Sequence, residues 1–105
     1  NGRMVIVRNG QGQTVAEATF FLCRTFEEVD QLHRRPLLLV VRDWPDGTIC
    51  YMDQLYGRAW VPSVRREVER VICRAYPQIT TACWYRPTLT DDRLVRKELY
   101  HVANV

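Results

Sequence analysis

The feature that most constrains the fold of this chain is an amphipathic pattern over residues 61–76. At 100° per residue, one set of apolar side chains falls within a single broad sector of a helix, and three arginines spaced four apart line the far side. The apolar set is Val61, Val64, Val68, Val71, Ile72 and Ala75, and the arginines are Arg66, Arg70 and Arg74. The segment therefore predicts a helix with one face in the core and an anion-seeking face outside.

Short runs rich in β-branched and aromatic residues indicate strands on both sides of this helix. These runs occupy residues 4–8, 14–22, 37–42, 48–53 and 79–85. The dipeptide Asn9-Gly10 suits the positive φ angles of a tight hairpin between the first two runs. Pro45 and Gly47 lie where a turn between residues 37–42 and 48–53 needs a preset φ and a left-handed φ. The sequence therefore predicts two hairpins, with Gly47 at a positive φ.

Capping residues and prolines predict the ends of the helices. Thr25 and Glu28 have the spacing of a capping box, and Pro36 stops the helix that follows them. Pro62 is a favourable first-turn residue for the arginine-bearing helix, and Pro77 closes that helix.

The pattern after Pro87 predicts a final helix. Thr90, Asp91 and Asp92 form a capped start whose charge matches the helix dipole. The predicted apolar side consists of Leu94, Val95, Leu99, Val102 and Val105, which leaves Arg93, Arg96 and Lys97 outside.

The order of these segments predicts a small α+β fold. Residues 14–85 read as strand, helix, strand, strand, helix, strand, which is the ferredoxin-like βαββαβ order. An N-terminal strand and a C-terminal helix are added to it, the sheet is mostly antiparallel, and both helices cover one face. A β-grasp is the alternative, because element order does not fix strand order. We expect residues 1–105 to form a single domain.

The length of the apolar runs and the composition of the charged residues limit which partners the chain can be expected to bind. The longest apolar run, residues 37–41, is far shorter than the roughly 20 residues of a membrane span, so we expect no membrane partner. The net charge is +3, and fourteen of the fifteen basic residues are arginine, with Lys97 the exception. Arginine suits recognition of carboxylates, phosphates and aromatic faces, although a coding bias explains the same composition.

Four cysteines bear on metal binding and on the redox environment. Cys23, Cys50, Cys73 and Cys83 form no C-x-x-C pair and have no histidine at a ligand-like offset. We therefore expect no metal and no cofactor, buried reduced thiols and a cytoplasmic location. The sequence begins at Asn1 instead of Met, so a signal peptide removed from a precursor is an alternative to the cytoplasmic location. On the helix predicted for residues 61–76, Cys73 falls outside the apolar sector and on the same side as Arg70. We expect a neighbouring element or a second subunit to cover it.

These features favour a non-catalytic interaction domain that binds either a protein partner or a second copy of itself in a homodimer. Tryptophan, tyrosine and arginine are enriched at interface hot spots, and the chain has no motif of a catalytic class. The candidate binding surface consists of Arg66, Arg70, Arg74, Arg93, Arg96, Lys97, Trp44 and Cys73.

Two other functions stay open. The arginine row fits the phosphates of a nucleic acid, although the chain lacks the Lys/Arg-Gly-aromatic motifs of RNA-recognition domains. A small ribonuclease or toxin would use His33 and His101 as its acid and base.

Overall fold

The computed structural model describes residues 3–34, 44–57 and 62–99. Along these residues the chain forms five strands and two helices. They are β1 (Arg3–Arg8), β2 (Thr14–Cys23), α1 (Phe26–Arg34), β3 (Ile49–Gly57), α2 (Pro62–Ala75), β4 (Thr81–Pro87) and β5 (Asp92–Glu98). The prediction of a small α+β fold is confirmed at this level.

The five described strands form one mixed sheet in the order β1-β2-β3-β4-β5. Neighbouring strands are antiparallel except for β3 and β4, which run parallel and have α2 between them in the sequence. The ferredoxin-like order is not confirmed, and its predicted strand at residues 37–42 lies outside the described residues. The hairpin predicted from that strand is therefore untested, although Gly47 N does donate to Trp44 O at 2.8 Å in a tight turn.

The two helices lie on opposite faces of the sheet, contrary to the prediction that they share one. Successive strand residues point to opposite faces, and they separate here into two buried clusters. Phe20, Leu22 and Met52 pack with Val68 and Ile72 of α2. The intervening residues pack with Val29 of α1; they are Phe21, Cys23, Ile49, Tyr51 and Cys83. The sheet is therefore the middle layer of three.

The predicted C-terminal helix is wrong for residues 92–98, which form strand β5. β5 pairs with β4 from Thr81–Glu98 to Pro87–Asp92. Thr and Asp favour turns as well as helix caps, and here Thr88 Oγ1 donates to the Asp91 carbonyl oxygen in the turn that joins the two strands. Residues 100–105, the rest of that prediction, lie outside the described residues.

The cap of α1 is confirmed in detail. Thr25 Oγ1 accepts from Glu28 N at 3.2 Å, and Glu28 Oε1 accepts from Thr25 N at 3.3 Å. The same carboxylate accepts from Arg24 N at 2.6 Å and pairs with the Arg24 guanidinium. Burial opposes ionisation of Glu28, but these hydrogen bonds prevail and lower its pKa.

α2 begins at Pro62 as predicted, but its buried face is rotated from the predicted stripe. Val68 and Ile72 are buried as expected, together with Glu69 and Cys73. Val71 is instead 42% exposed. The Ala75 side chain is exposed as well. The rotation places Glu69 against the sheet, where a lysine of β5 neutralises it.

The hairpin between β1 and β2 is confirmed, with its left-handed residue at a different position. Asn9 N donates to Gln13 O, and the Asn9 side chain accepts from the amides of Gln11 and Gln13. The positive φ of 78° belongs to Gly12 instead of Asn9 or Gly10. Among the described residues no helix has the length and apolar character to cross a membrane.

Candidate functional site

The first candidate site is the solvent-facing side of α2, here called the α2 outer face. It consists of Arg66, Glu67, Arg70, Val71 and Arg74. Arg70 Nη1 lies 2.9 Å from Glu67 Oε2, so one arginine of the predicted row is neutralised on its own helix. Arg66 and Arg74 form no ion pair with any described residue. The exposed Val71 lies one helical turn from both Glu67 and Arg74.

Cys73 does not belong to this surface, although the sequence placed it there. The residue is 5% exposed and packs in the cluster beneath α2. Burial is the main cause of the raised pKa of its thiol, and Glu69 adds to the shift. The expectation that another element covers Cys73 is confirmed.

Lys97 is held by an ion pair. Its Nζ lies 2.6 Å and 2.8 Å from the two carboxylate oxygens of Glu69, whose side chain is 2% exposed. A buried carboxylate requires a partner of this kind. The pair joins α2 to β5 and reduces the charge that Lys97 offers to any ligand.

The other predicted surface residues lie on both sides of the sheet. Strand alternation places Arg93 on the α2 side with Lys97, and Arg96 on the α1 side, where its guanidinium lies 3.8 Å from the centroid of the Phe26 ring. Trp44 is also on the α1 side, half-buried, with the Arg24 guanidinium 5.6 Å from its ring centroid. The eight predicted residues therefore do not form one surface.

A second candidate site, here called the α1 pocket, was not predicted. It is an open pocket of about 290 Å³ between the C-terminal half of α1 and the start of β5. Its lining consists of Asp30, His33, Arg34, Tyr85, Asp91 and Asp92. These residues come from α1, β4, β5 and the turn between the two strands, and no sequence motif joins them.

Three contacts hold the His33 side chain in this pocket. Its Nε2 lies 2.9 Å from Asp92 Oδ2, and its Nδ1 lies 3.4 Å from the Tyr51 hydroxyl. Its ring stacks on Tyr85 with 3.6 Å between centroids and 9° between planes. Burial raises the pKa of Tyr85 above its usual value, and the Asp30 carboxylate adds to the shift. The phenol is therefore protonated at neutral pH and acts as a hydrogen-bond donor.

The charges of the pocket oppose the binding of a phosphate. Asp30, Asp91 and Asp92 contribute three carboxylates, whereas Arg34 is the one arginine of the lining and already binds Asp30 with Nε 2.9 Å from both oxygens. A polyanionic substrate would meet repulsion there. His101, the second histidine of the ribonuclease hypothesis, lies outside the described residues.

The cysteines are free and buried at all four positions, as predicted. Burial raises the pKa of Cys83 to about 12 and that of Cys50 well above its usual value. The described residues contain no group of three or more histidine, cysteine or carboxylate side chains arranged to hold a metal ion.

Comparisons of the chain with protein-family models, with curated proteins and with solved structures find no match.

Proposed function

We propose that this chain is a non-catalytic interaction domain that contacts a protein partner through the α2 outer face. The observation that carries the proposal is Val71, which is 42% exposed between Glu67 and Arg74. An apolar side chain flanked by both signs of charge fits a protein surface, which offers apolar and charged groups together. A phosphate backbone offers nothing to Val71 or Glu67.

Ion pairing on the α2 side supports the same proposal. Glu67 neutralises Arg70 and Glu69 neutralises Lys97, so two cations of the predicted binding surface are already occupied. Each phosphate contact depends on an available cation, and fewer available cations weaken binding to nucleic acid.

Nucleic-acid binding has one specific observation in its favour. Arg66, Arg74 and Arg93 lie on the same side of the sheet and form no ion pair with any described residue. Close to them, the Arg65 guanidinium lies 4.2 Å from the centroid of the Trp84 ring. A strip of cations beside an aromatic ring is a feature of single-strand-binding surfaces. The experiment therefore has to distinguish apolar from electrostatic contact.

Two variants of the α2 outer face make that distinction. Val71→Ser removes the apolar contact and leaves every charge in place, whereas the double variant Arg66→Glu, Arg74→Glu reverses the charge and leaves Val71 in place. Met4→Ser is the matched control for Val71→Ser, because Met4 is 59% exposed and alternates with the buried Val5, which places it on the face of the sheet opposite α2. The double variant Arg8→Glu, Arg96→Glu is the charge control, because both arginines are exposed and lie on the side of the sheet opposite α2.

The first measurement is the amount of partner protein that each immobilised variant retains, quantified by mass spectrometry. The second is the binding of oligonucleotides to each variant, followed by fluorescence anisotropy at two salt concentrations. We expect both α2 variants to reduce the retained protein at least about fivefold, equivalent to about 1 kcal/mol, and both controls to retain the parental amount. Submicromolar binding of single- or double-stranded oligonucleotides that weakens steeply with salt, and that Arg66→Glu, Arg74→Glu abolishes while Val71→Ser does not, would contradict the proposal.

A further inference from the structure

We propose that the partner of the α2 outer face is a second copy of this chain, which receives it at the α1 pocket. This inference rests on the proposed function and names its partner. It follows from the charges that remain on each side of the sheet once the ion pairs are set aside.

The α2 side retains positive charge. Arg70 and Lys97 are neutralised by Glu67 and Glu69. On this side the arginines without an ion-pair partner among the described residues are Arg65, Arg66, Arg74, Arg86 and Arg93. No described acidic residue on this side of the sheet is left to balance them.

The α1 side retains negative charge. Arg24 and Arg34 are neutralised by Glu28 and Asp30. The acidic residues on this side with no arginine or lysine partner among the described residues include Glu17, Glu27, Asp53, Asp91, Asp92 and Glu98. They outnumber the two arginines there that have no ion pair, Arg8 and Arg96. Two of the acidic residues, Asp91 and Asp92, line the α1 pocket. The domain is therefore positive on one side of its sheet and negative on the other.

The α1 pocket has the form that an arginine side chain needs. It is open, it has a volume of about 290 Å³, and its lining presents the carboxylates of Asp91 and Asp92, which no described arginine or lysine neutralises. A guanidinium donates through a planar fork that matches a carboxylate in two hydrogen bonds. Arg74 and Arg66, without ion pairs on α2, are the side chains of the second copy that supply it.

The apolar parts of the two surfaces correspond as well. Leu89 is fully exposed at 106% and comes two residues before Asp91 in the turn between β4 and β5, so an exposed apolar side chain is close in sequence to the lining of the pocket. On the other surface, Val71 stands one helical turn from Arg74. A contact that joins Arg74 to the pocket brings Val71 near Leu89 and removes both from water.

The symmetry of this contact distinguishes it from a simple homodimer. The two surfaces lie on opposite sides of one sheet, so a copy that is bound at its pocket still presents its own α2 outer face. Head-to-tail contacts of this kind give rings when the rotation closes and open chains when it does not. The assembly is therefore expected to grow with protein concentration and to weaken with salt, because the contact surfaces are exposed to solvent.

A charge exchange tests the inference. The first variant is Arg66→Glu, Arg74→Glu, which makes the α2 outer face acidic; the second is Asp91→Lys, Asp92→Lys, which makes the pocket basic. Sedimentation velocity at about 20 mM and about 300 mM salt gives the association of each variant and of their equimolar mixture. The matched control is Asp46→Lys, Glu98→Lys, which makes the same charge change at exposed positions outside the pocket lining.

We expect the parent and the control to associate at low salt, each exchanged variant to stay monomeric at 12.4 kDa alone, and the mixture to recover the association. We expect association to weaken at least tenfold at the higher salt. Asp91→Asn covers the case in which the double lysine variant does not fold, because it keeps the acceptor for the Asp92 amide and should still weaken association several-fold.

Any one of four results would overturn the inference. The parent could be monomeric at every concentration, or the mixture could stay monomeric. Asp91→Asn could associate as the parent does, or the control could lose association as the exchanged variants do. None of these results tests whether Val71 contacts a different protein. If the parent is monomeric and Val71→Ser still loses a protein partner that Met4→Ser retains, the proposed function stands and the self-association does not.

Discussion

At the scale of single residues, the 44–47 turn requires a glycine at position 47, but for a different physical reason from the predicted one. The sequence predicted a glycine in the 44–47 turn because of a positive φ, but the φ of Gly47 lies outside that region. A Cβ at Gly47 would instead lie 2.5 Å from the carbonyl oxygen of Cys23 and 2.7 Å from its nitrogen. Glycine is required there because the turn packs directly on the end of β2.

Gly47→Ala is therefore expected to lower the free energy of unfolding by about 1–3 kcal/mol, because backbone atoms must move to admit one methyl group. Gly10→Ala is the matched control: its Cβ would meet nothing within 4 Å. Chemical denaturation of the two variants checks this. Equal midpoints for Gly47→Ala and Gly10→Ala would mean that the turn does not pack on Cys23.

At the scale of secondary-structure elements, the sequence predicted the starts of α1 and α2 correctly but not which face of an element is buried. The capping box at Thr25 and the first-turn proline at Pro62 act over three or four residues, so both appear in the sequence. The buried face of α2 was misassigned because Glu69 counted as polar, although an ion pair from a distant strand allows its burial. β5 was misassigned because its charged edge residues and turn residues also fit a capped helix.

The Glu69–Lys97 pair yields a prediction about these elements. Lys97→Met leaves the Glu69 carboxylate buried without a partner, and we expect a loss of about 2–3 kcal/mol, less than for a fully buried pair because Lys97 is 45% exposed. The double variant Glu69→Met, Lys97→Met should recover most of that loss, because two apolar side chains replace the pair. Thermal unfolding of the two variants provides the measurement. A double variant less stable than Lys97→Met would show that the buried charge is not the cause.

At the scale of the whole molecule, the central sheet decides which predicted residues act together. Arg66, Arg70 and Arg74 lie on one side, whereas Trp44 and Arg96 lie on the other. Sequence periodicity within each element gives no information on which face of a sheet that element covers. The α1 pocket was out of reach for the same reason: His33, Tyr85 and Asp92 meet only because α1 lies across β4 and β5.

A protein that contacts the α2 outer face must lie against Val71. The most direct measurement is photo-crosslinking in cells from a benzophenone amino acid at Val71, with the same group at Met4 as control. Both positions are exposed, so the probe reports what lies against each surface in place. We predict one discrete protein adduct from Val71, formed with a second copy of this chain, and no matching adduct from Met4. Nucleic-acid adducts from Val71, or no adduct that distinguishes it from Met4, would contradict the account.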